Sequence, residues 1–174
     1  IIMSWFVVDV ESDGQAPGLY NMVSFGAIKV DENLNETYYG QVKPITDMWD
    51  EDALSISGIS REEHEGFDEP YDVILDFANW LETVSKGRPI MLSDNIAFDW
   101  QFINYYFHRY LGRNPFGYSG RRIGDLYCGM MKDSFAKWKH LRTTKHTHHP
   151  IDDARGNAEA ILKMKEMGLK IPKK

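Results

Sequence analysis

The sequence predicts an α/β fold in which a β-sheet is flanked by α-helices. Two observations carry this prediction: three strand-like segments come first, and helical periodicity alternates with one more strand afterwards. The chain has 174 residues, of which 43% are hydrophobic and 26% are charged. That apolar content can offset the entropy cost of ordering a core, so we expect a folded chain rather than a disordered one, and its length favours one domain.

The N-terminal third predicts a three-strand meander. Residues 5–10 form an apolar run rich in β-branched side chains, and residues 22–30 and 37–42 supply two more strand candidates. The turn-like segment DENLN at residues 31–35 separates the last two.

The middle of the chain predicts a helix followed by a short strand. Pro70 is well placed to open the helix, and Gly87 stops it. Residues 89–92 then form a short strand. The apolar positions of the helix follow steps of three and four residues, so one face is core: Tyr71, Ile74, Phe77, Ala78, Leu81 and Val84.

Three further helices are predicted in the second half. Residues 93–95 are all good N-cap types and lead into a helix that runs to about Tyr110. A shorter helix follows Asp125, and Pro150 opens the last helix, which Gly168 stops. Aromatic residues along the first of these helices have helical spacing, which favours core packing over a base-stacking platform.

Composition and local sequence exclude several classes of protein. The lone Cys128 excludes an internal disulfide and a paired-cysteine metal site. The longest uncharged stretch, residues 14–28, is too short and too polar to span a bilayer. Residues 1–4 do not resemble a signal peptide, and Met3 is a candidate native start. We therefore expect a cytoplasmic protein.

The formal net charge of −6 argues against a general nucleic-acid binder, although the charge is unevenly distributed. Residues 31–76 carry 14 Asp and Glu against two basic residues, and residues 121–149 carry seven Lys and Arg against two acids. The acidic segment could dock a protein partner. The basic segment keeps a local phosphate-binding surface open, with these candidates for guiding a strand: Arg121, Arg122, Lys139, Arg142 and Lys145.

Two acids stand at the end of the first predicted strand. Asp9 and Glu11 are two residues apart, so in a strand they project from the same face. Two carboxylates that close repel each other unless a cation lies between them. The alternative is that the strand has already ended and both acids are solvated loop residues.

A third acid, Asp99, shares helical steps with the apolar Phe102, Ile103 and Tyr106, so it lies on or beside a buried stripe. A buried carboxylate needs a partner. The alternative, an ordinary first-turn acid favoured by the helix dipole, is equally compatible with the pattern. We interpret the nearby Asp94 as a capping or loop residue.

The last motif is His148-His149-Pro150-Ile151-Asp152-Asp153. If Pro150 is the first helical residue, Asp152 is the third and caps free amides, while Asp153 points elsewhere. His148 stays outside the helix. The alternative is that both acids complement the helix N-terminus and that both histidines are loop residues.

Together these motifs have the order Asp9-x-Glu11, Asn95-x-x-Phe98-Asp99 and His148-x4-Asp153. In this order they resemble the DEDDh 3′-to-5′ exonucleases of the ribonuclease H-like superfamily, which include oligoribonuclease, ribonuclease T and polymerase proofreading domains. The resemblance spans residues 5–167 and implies a ribonuclease H-like fold with a mixed central sheet, as a single exonuclease domain over residues 1–174. Residues 56–60, ISGIS, resemble the segment that approaches the terminal base in this family.

The resemblance also implies a reaction: metal-dependent hydrolysis of single-stranded nucleic acid from its 3′ end to nucleoside 5′-monophosphates. It implies two divalent cations, Mg²⁺ or Mn²⁺, held by Asp9, Glu11, Asp99 and Asp153, with His148 as the general base. Substrate contacts are expected from Ser12, Gly58, Ile59 and Asn95, although Ser12 stands where Thr is common. A minimal domain favours RNA modestly over DNA, and a homodimer stays open.

Three alternatives stay open. One is a single-stranded DNA exonuclease of the proofreading type. Another is a non-catalytic module of the same fold that binds nucleic acid or a partner. The last is a zinc hydrolase, which would leave Asp9, Glu11 and Asp99 unused and would be built on His140, His146, His148 and His149.

Overall fold

The computed structural model describes residues 2–171. Within that range none of the helices is long and apolar enough to cross a lipid bilayer. The strands are β1 (Met3–Ser12), β2 (Met22–Lys29), β3 (Thr37–Gln41), β4 (Arg88–Ser93) and β5 (Gly120–Arg122). The α-helices are α1 (Glu51–Ile56), α2 (Arg61–Glu65), α3 (Pro70–Val84), α4 (Ile96–Leu111), α5 (Ile123–Met131) and α6 (Pro150–Glu166), and a 3-10 turn covers Lys139–Leu141.

The strands form one mixed sheet in the order β3-β2-β1-β4-β5. β1 pairs antiparallel with β2, and β2 pairs antiparallel with β3, so the predicted three-strand meander is confirmed. β4 and β5 continue the sheet in parallel with β1. β1 is therefore the central strand, and it has a different kind of neighbour on each side.

A layer of helices covers each face of the sheet. Phe6, Val8 and Val10 of β1 pack on the face covered by α3 and α4. Trp5 and Val7 pack on the opposite face, which α5 and α6 cover. This separation follows from the alternation of side chains along a strand. The same alternation determines which of the two helix layers is contacted by each side chain nearer the end of β1.

Most of the predicted helices are confirmed. α3 begins at Pro70 and α6 begins at Pro150, while α4 extends one residue beyond the predicted end. The interpretation of the aromatic residues of α4 as core is confirmed for Phe102, Tyr106 and Phe107, which are fully buried. The helices α1 and α2 and the three-residue strand β5 were not predicted.

Gly26 lets the first turn of α6 lie directly against the sheet. It lies opposite Asp9 in the pairing of β1 with β2, under the first turn of α6. A Cβ atom at this position would lie 2.7 Å from the carbonyl carbon of Pro150 and 2.8 Å from the backbone nitrogen of Ile151. Real Cβ atoms do not approach backbone atoms that closely, so a larger residue would push the start of α6 away from Asp9.

Gly26→Ala is therefore expected to destabilise the protein by about 1 to 3 kcal/mol, the usual cost of overpacking against backbone that cannot move aside freely. Urea unfolding would measure this change. Gly129→Ala in α5 is the matched control, because a Cβ there meets nothing within 4 Å and alanine favours helix. If Gly26→Ala unfolded at the same urea concentration as the wild type, α6 would be free to shift.

Candidate active site

Asp9 and Glu11 both lie inside β1, so the alternative that the strand ends before them is wrong. Since side chains alternate, both acids share the face of Trp5 and Val7, which α6 covers. Pairing of β1 with β4 ends at Val7. The two acids therefore project from the part of the central strand that extends past its parallel neighbour.

Asp99 lies in the first turn of α4 and is 4% exposed. Its Oδ1 accepts a hydrogen bond of 3.0 Å from the backbone N–H of Val10, the residue between the two acids of β1. Burial raises the pKa of Asp99 to about 7, although the bond from Val10 acts in the opposite direction. Asp94 lies in the loop before α4, as predicted, and pairs with Lys139 at 2.7 Å.

Asp153 lies in the first turn of α6 and is almost fully buried. It accepts hydrogen bonds from the backbone N–H groups of Thr147 at 3.2 Å and His148 at 3.0 Å. Arg142 donates to it at 3.0 Å. Asp152 instead accepts a bond from the hydroxyl of Thr147. The predicted role of Asp152 as the acid that binds free amides is wrong, since the amides of the approach loop bind Asp153 instead.

The fold brings three of these carboxylates together. Asp9, Glu11 and Asp153 each offer an oxygen, and the three oxygens lie within 4.8 Å of one another. Close carboxylates repel unless positive charge lies between them. Hard oxygen donors are the ligands that Mg²⁺ and Mn²⁺ prefer, so this donor set fits a divalent cation.

The electrostatics of the cluster support this interpretation. Burial raises the pKa of Asp9 well above its usual value, and the three neighbouring carboxylates raise it further, while Arg142 acts in the opposite direction. Burial, followed by the charges of Asp153 and Asp99, raises the pKa of Glu11 to about 7. The negative charges are therefore only partly compensated by groups of the protein itself.

His148 precedes α6 and lies outside it, as predicted. Its φ of 60° is in the left-handed region, which is uncommon for a residue other than glycine. The bond from its backbone N–H to Asp153 holds this conformation. Residues held in such strained conformations are common at functional sites.

The histidines of the zinc alternative are divided by the fold. His146 and His148 lie together, with ring centroids 4.2 Å apart, and both contribute to a candidate metal-binding group with Asp153. His149 lies against Tyr39, and His140 lies against Tyr127. The structure therefore does not bring all four histidines to one place.

The four predicted substrate contacts lie on different segments. Gly58 and Ile59 connect α1 with α2, and Gly58 has a φ of 71° with open space where a side chain would be. Asn95 is exposed and is the N-cap of α4, one turn before Asp99. The hydroxyl of Ser12 donates to a backbone carbonyl, that of Gly14, at 2.6 Å. Their contacts with a substrate stay predictions.

Most of the predicted strand-guiding cations have partners inside the protein. The side chain of Arg142 is 9% exposed, so it belongs to the carboxylate cluster rather than to an open surface. Lys145 is exposed. The partners are Asp153 for Arg142, Asp125 for Arg122, Asp94 for Lys139 and the ring of Trp5 for Arg121.

A buried polar cluster beyond the end of β1 was missed by the sequence analysis. Asp13 accepts bonds of 2.6 and 2.7 Å from the backbone and side-chain amides of Asn21, and one of 3.2 Å from Arg61. The buried ring of His64 lies 3.8 Å from Asp13. Because Arg61 begins α2, this cluster ties the segment containing Gly58 to the strand that carries the two acids.

Comparison with known sequences identifies relatives of this chain. The RNase_T family model, described as an exonuclease, matches residues 6–161. A 3′-5′ DNA exonuclease from Escherichia coli, Cap18, is 36% identical over 165 residues, which cover 87% of this chain and 86% of that protein. A PolC-type DNA polymerase III from Thermotoga petrophila is 25% identical over 97% of this chain, which spans 12% of the polymerase.

Comparison with solved structures confirms the predicted ribonuclease H-like fold. The nuclease domain of 3′hExo, a DEDDh family member solved with rAMP bound, has a TM-score of 0.77 and 19% identity, with 99% of this chain and 98% of that domain covered. Exonuclease I of E. coli in complex with a dA16 oligonucleotide has a TM-score of 0.70 and 19% identity, with 95% of this chain and 41% of that chain covered.

Proposed function

The chain belongs to the RNase_T exonuclease family and is a 3′-5′ exonuclease of the DEDDh type, and we propose that it removes nucleotides from the 3′ end of single-stranded DNA with two divalent cations. One observation carries the proposal: carboxylate oxygens of Asp9, Glu11 and Asp153 lie within 4.8 Å of one another. Asp99 lies beside them and accepts a hydrogen bond from the backbone N–H of Val10. Negative charge accumulates around the phosphorus during phosphodiester hydrolysis, and cations held by such a cluster would stabilise it.

Members of this family use divalent metal ions, and Mg²⁺ or Mn²⁺ fits the oxygen donors here. We propose Asp9, Glu11, Asp99 and Asp153 as the groups that hold them. Bound cations would supply positive charge at the scissile phosphate and acidify the attacking water. Asp9 would be a ligand of these cations, since its carboxyl lies among those of Glu11, Asp99 and Asp153.

We propose that protein side chains transfer the proton, orient Asp153 and bind the substrate. A ring nitrogen of His148 accepts the proton of the attacking water, and the bond from its backbone to Asp153 holds the residue next to the cluster. Arg142 orients Asp153 and offsets part of the negative charge. Gly58, Ile59, Asn95 and Ser12 are proposed to contact the terminal nucleotide.

The choice of polymer rests on the relatives. The sequence alone favoured RNA modestly, and that preference stays a prediction. The E. coli relative at 36% identity is named a DNA exonuclease, and the more distant polymerases also act on DNA by name. We therefore propose DNA as the preferred polymer and RNA as the second candidate. The cytoplasmic location, the single domain over residues 1–174 and the homodimer also stay predictions.

The test is a time course with 5′-labelled DNA and RNA strands of equal sequence, in Mg²⁺, Mn²⁺, Zn²⁺ or EDTA. We expect the strands to shorten from the 3′ end with Mg²⁺ or Mn²⁺ but not with EDTA, and DNA to shorten faster. Strands with a blocked 3′ end are the matched control, since an exonuclease of this polarity leaves them intact.

Faster shortening of RNA would overturn the DNA preference and restore the preference predicted from the sequence. Cleavage of the blocked strands would contradict action at the 3′ end. Activity with zinc alone would support the alternative of a zinc hydrolase that uses the histidines. Strands that are bound but not cleaved would support the non-catalytic alternative.

A further inference from the structure

Asp153 belongs to two different groups of potential metal ligands. With Asp9 and Glu11 it forms the all-oxygen cluster described above. With His146 and His148 it forms a second group whose ligand atoms also lie within 4.8 Å of one another. The proposed nuclease reaction leaves His146 without a role, although its Nδ1 lies 2.6 Å from Oδ1 of Asp153.

The second group differs from the first in chemistry. Two imidazole nitrogens and one carboxylate oxygen suit Zn²⁺, whereas Mg²⁺ and Mn²⁺ are better matched by oxygen donors. Three protein ligands with a fourth position left open is a common arrangement for zinc. Asp153 is therefore shared between a donor set that suits a hard cation and a donor set that suits a borderline cation.

The geometry requires a small adjustment. With Zn–N distances near 2.0–2.1 Å, two ligands of a tetrahedral zinc lie about 3.3 Å apart. Nδ1 of His146 lies 2.6 Å from Oδ1 of Asp153, so it would have to move away by about 0.7 Å. The side chain of His146 is 54% exposed and has room to do so. Arg142, which donates to the same oxygen of Asp153, opposes a cation there and limits its affinity.

We propose that His146, His148 and Asp153 form a zinc site that inhibits the enzyme. Zinc bound there occupies a ring nitrogen of His148, the proposed general base, and an oxygen of Asp153, a proposed ligand of the catalytic cations. The binding of zinc stands independently of the proposed nuclease function, whereas the inhibition rests on it.

The test measures zinc binding and cleavage separately. Zinc affinity is determined at pH 8 in excess Mg²⁺ by competition with a chromophoric chelator, for the wild type, His146→Gln and His140→Gln. His140 is the matched control because it is exposed and lies against Tyr127, outside the group. We expect one zinc per chain, an affinity lowered at least about tenfold in His146→Gln, and no change in His140→Gln. Co²⁺ bound to the wild type should give the strong visible absorption of a tetrahedral site, and this absorption should be lost in His146→Gln.

Cleavage of 5′-labelled DNA in Mg²⁺ is then titrated with zinc, with each variant compared with its own rate without zinc. The wild type should be inhibited over the range in which zinc binds, and His146→Gln should need at least about tenfold more zinc. Zinc binding that is unchanged in His146→Gln, or equally weakened in His140→Gln, would overturn the site. Zinc binding at this site without inhibition of an active enzyme would overturn the inhibitory role alone. A protein that binds zinc as expected but cleaves nothing would contradict the proposed function instead.

Discussion

Asp9→Asn is expected to lower the rate of 3′-end cleavage at least about 10³-fold, which corresponds to about 4 kcal/mol of lost transition-state stabilisation. The substitution keeps the shape of the side chain but removes the negative charge at the centre of the cluster. Loss of a proposed cation ligand would remove several kcal/mol of charge stabilisation at the phosphate. Cleavage of labelled DNA under saturating Mg²⁺ measures the effect.

The same substitution should stabilise the metal-free protein at neutral pH, which urea unfolding in EDTA would measure. The wild type has a buried Asp9 whose pKa burial and neighbouring carboxylates raise well above its usual value. An amide at that position removes the cost of ionisation. Opposite effects on activity and stability would separate a metal-binding role from a structural one.

The pH dependence of stability follows from the same groups. The pKa values of Glu11 and Asp99 are raised to about 7 in the folded protein, from ordinary values of 4.5 and 3.8. Between those values the folded chain holds protons that the unfolded chain has released, so stability contributed by these groups is present in acid and lost as the pH rises through 7. Metal-free protein should therefore lose stability from about pH 4 to pH 7, and Asp9→Asn should reduce that loss.

Asp125→Asn is the matched control, because it makes the same chemical change at an exposed position. Its stability and activity should stay close to those of the wild type. An Asp9→Asn protein that is both inactive and less stable than the wild type in EDTA would contradict the electrostatic account of the cluster. In that case Asp9 would be part of the folding core.

Long periodic elements were predictable from the sequence, whereas short elements were not. The helix opened by Pro70 has a repeated apolar stripe, and it forms as α3 within the predicted range, although Tyr71, predicted as part of the core face, is 50% exposed. Helices α1 and α2 have six and five residues, too few to show a period, and β5 has three residues, two of them arginines. These elements depend on tertiary contacts, which the sequence of a short segment does not reveal.

The unusual positions of three acids drew attention to them, but only the resemblance to the DEDDh exonucleases predicted that they form one site. Asp9 and Glu11 interrupt an apolar strand, and Asp99 shares a stripe with aromatic residues. The contact of His146 with Asp153 was not predictable, since it depends on how the loop before α6 folds back. The burial of Asp13 beside Arg61 likewise joins residues 48 positions apart.

His148→Gln is expected to lower the cleavage rate by about 10² to 10⁴-fold, the usual contribution of a positioned general base. Glutamine can form hydrogen bonds but cannot accept the proton of the attacking water at neutral pH. The backbone N–H that binds Asp153 is retained, so the carboxylate cluster should keep its geometry. Single-turnover cleavage in saturating Mg²⁺ measures the loss.

His149→Gln is the matched control, since it changes an adjacent exposed histidine that lies against Tyr39. It should keep cleavage within a few-fold of the wild-type rate. Binding of Mn²⁺, measured by calorimetry, should be similar in the wild type and in His148→Gln, because the proposed ligands are all carboxylates. Loss of Mn²⁺ binding together with activity would instead make His148 a residue that positions Asp153, through the strained loop at φ 60°. Full activity in His148→Gln would assign the proton transfer to another group, and His146, 2.6 Å from Asp153, would be the first to test.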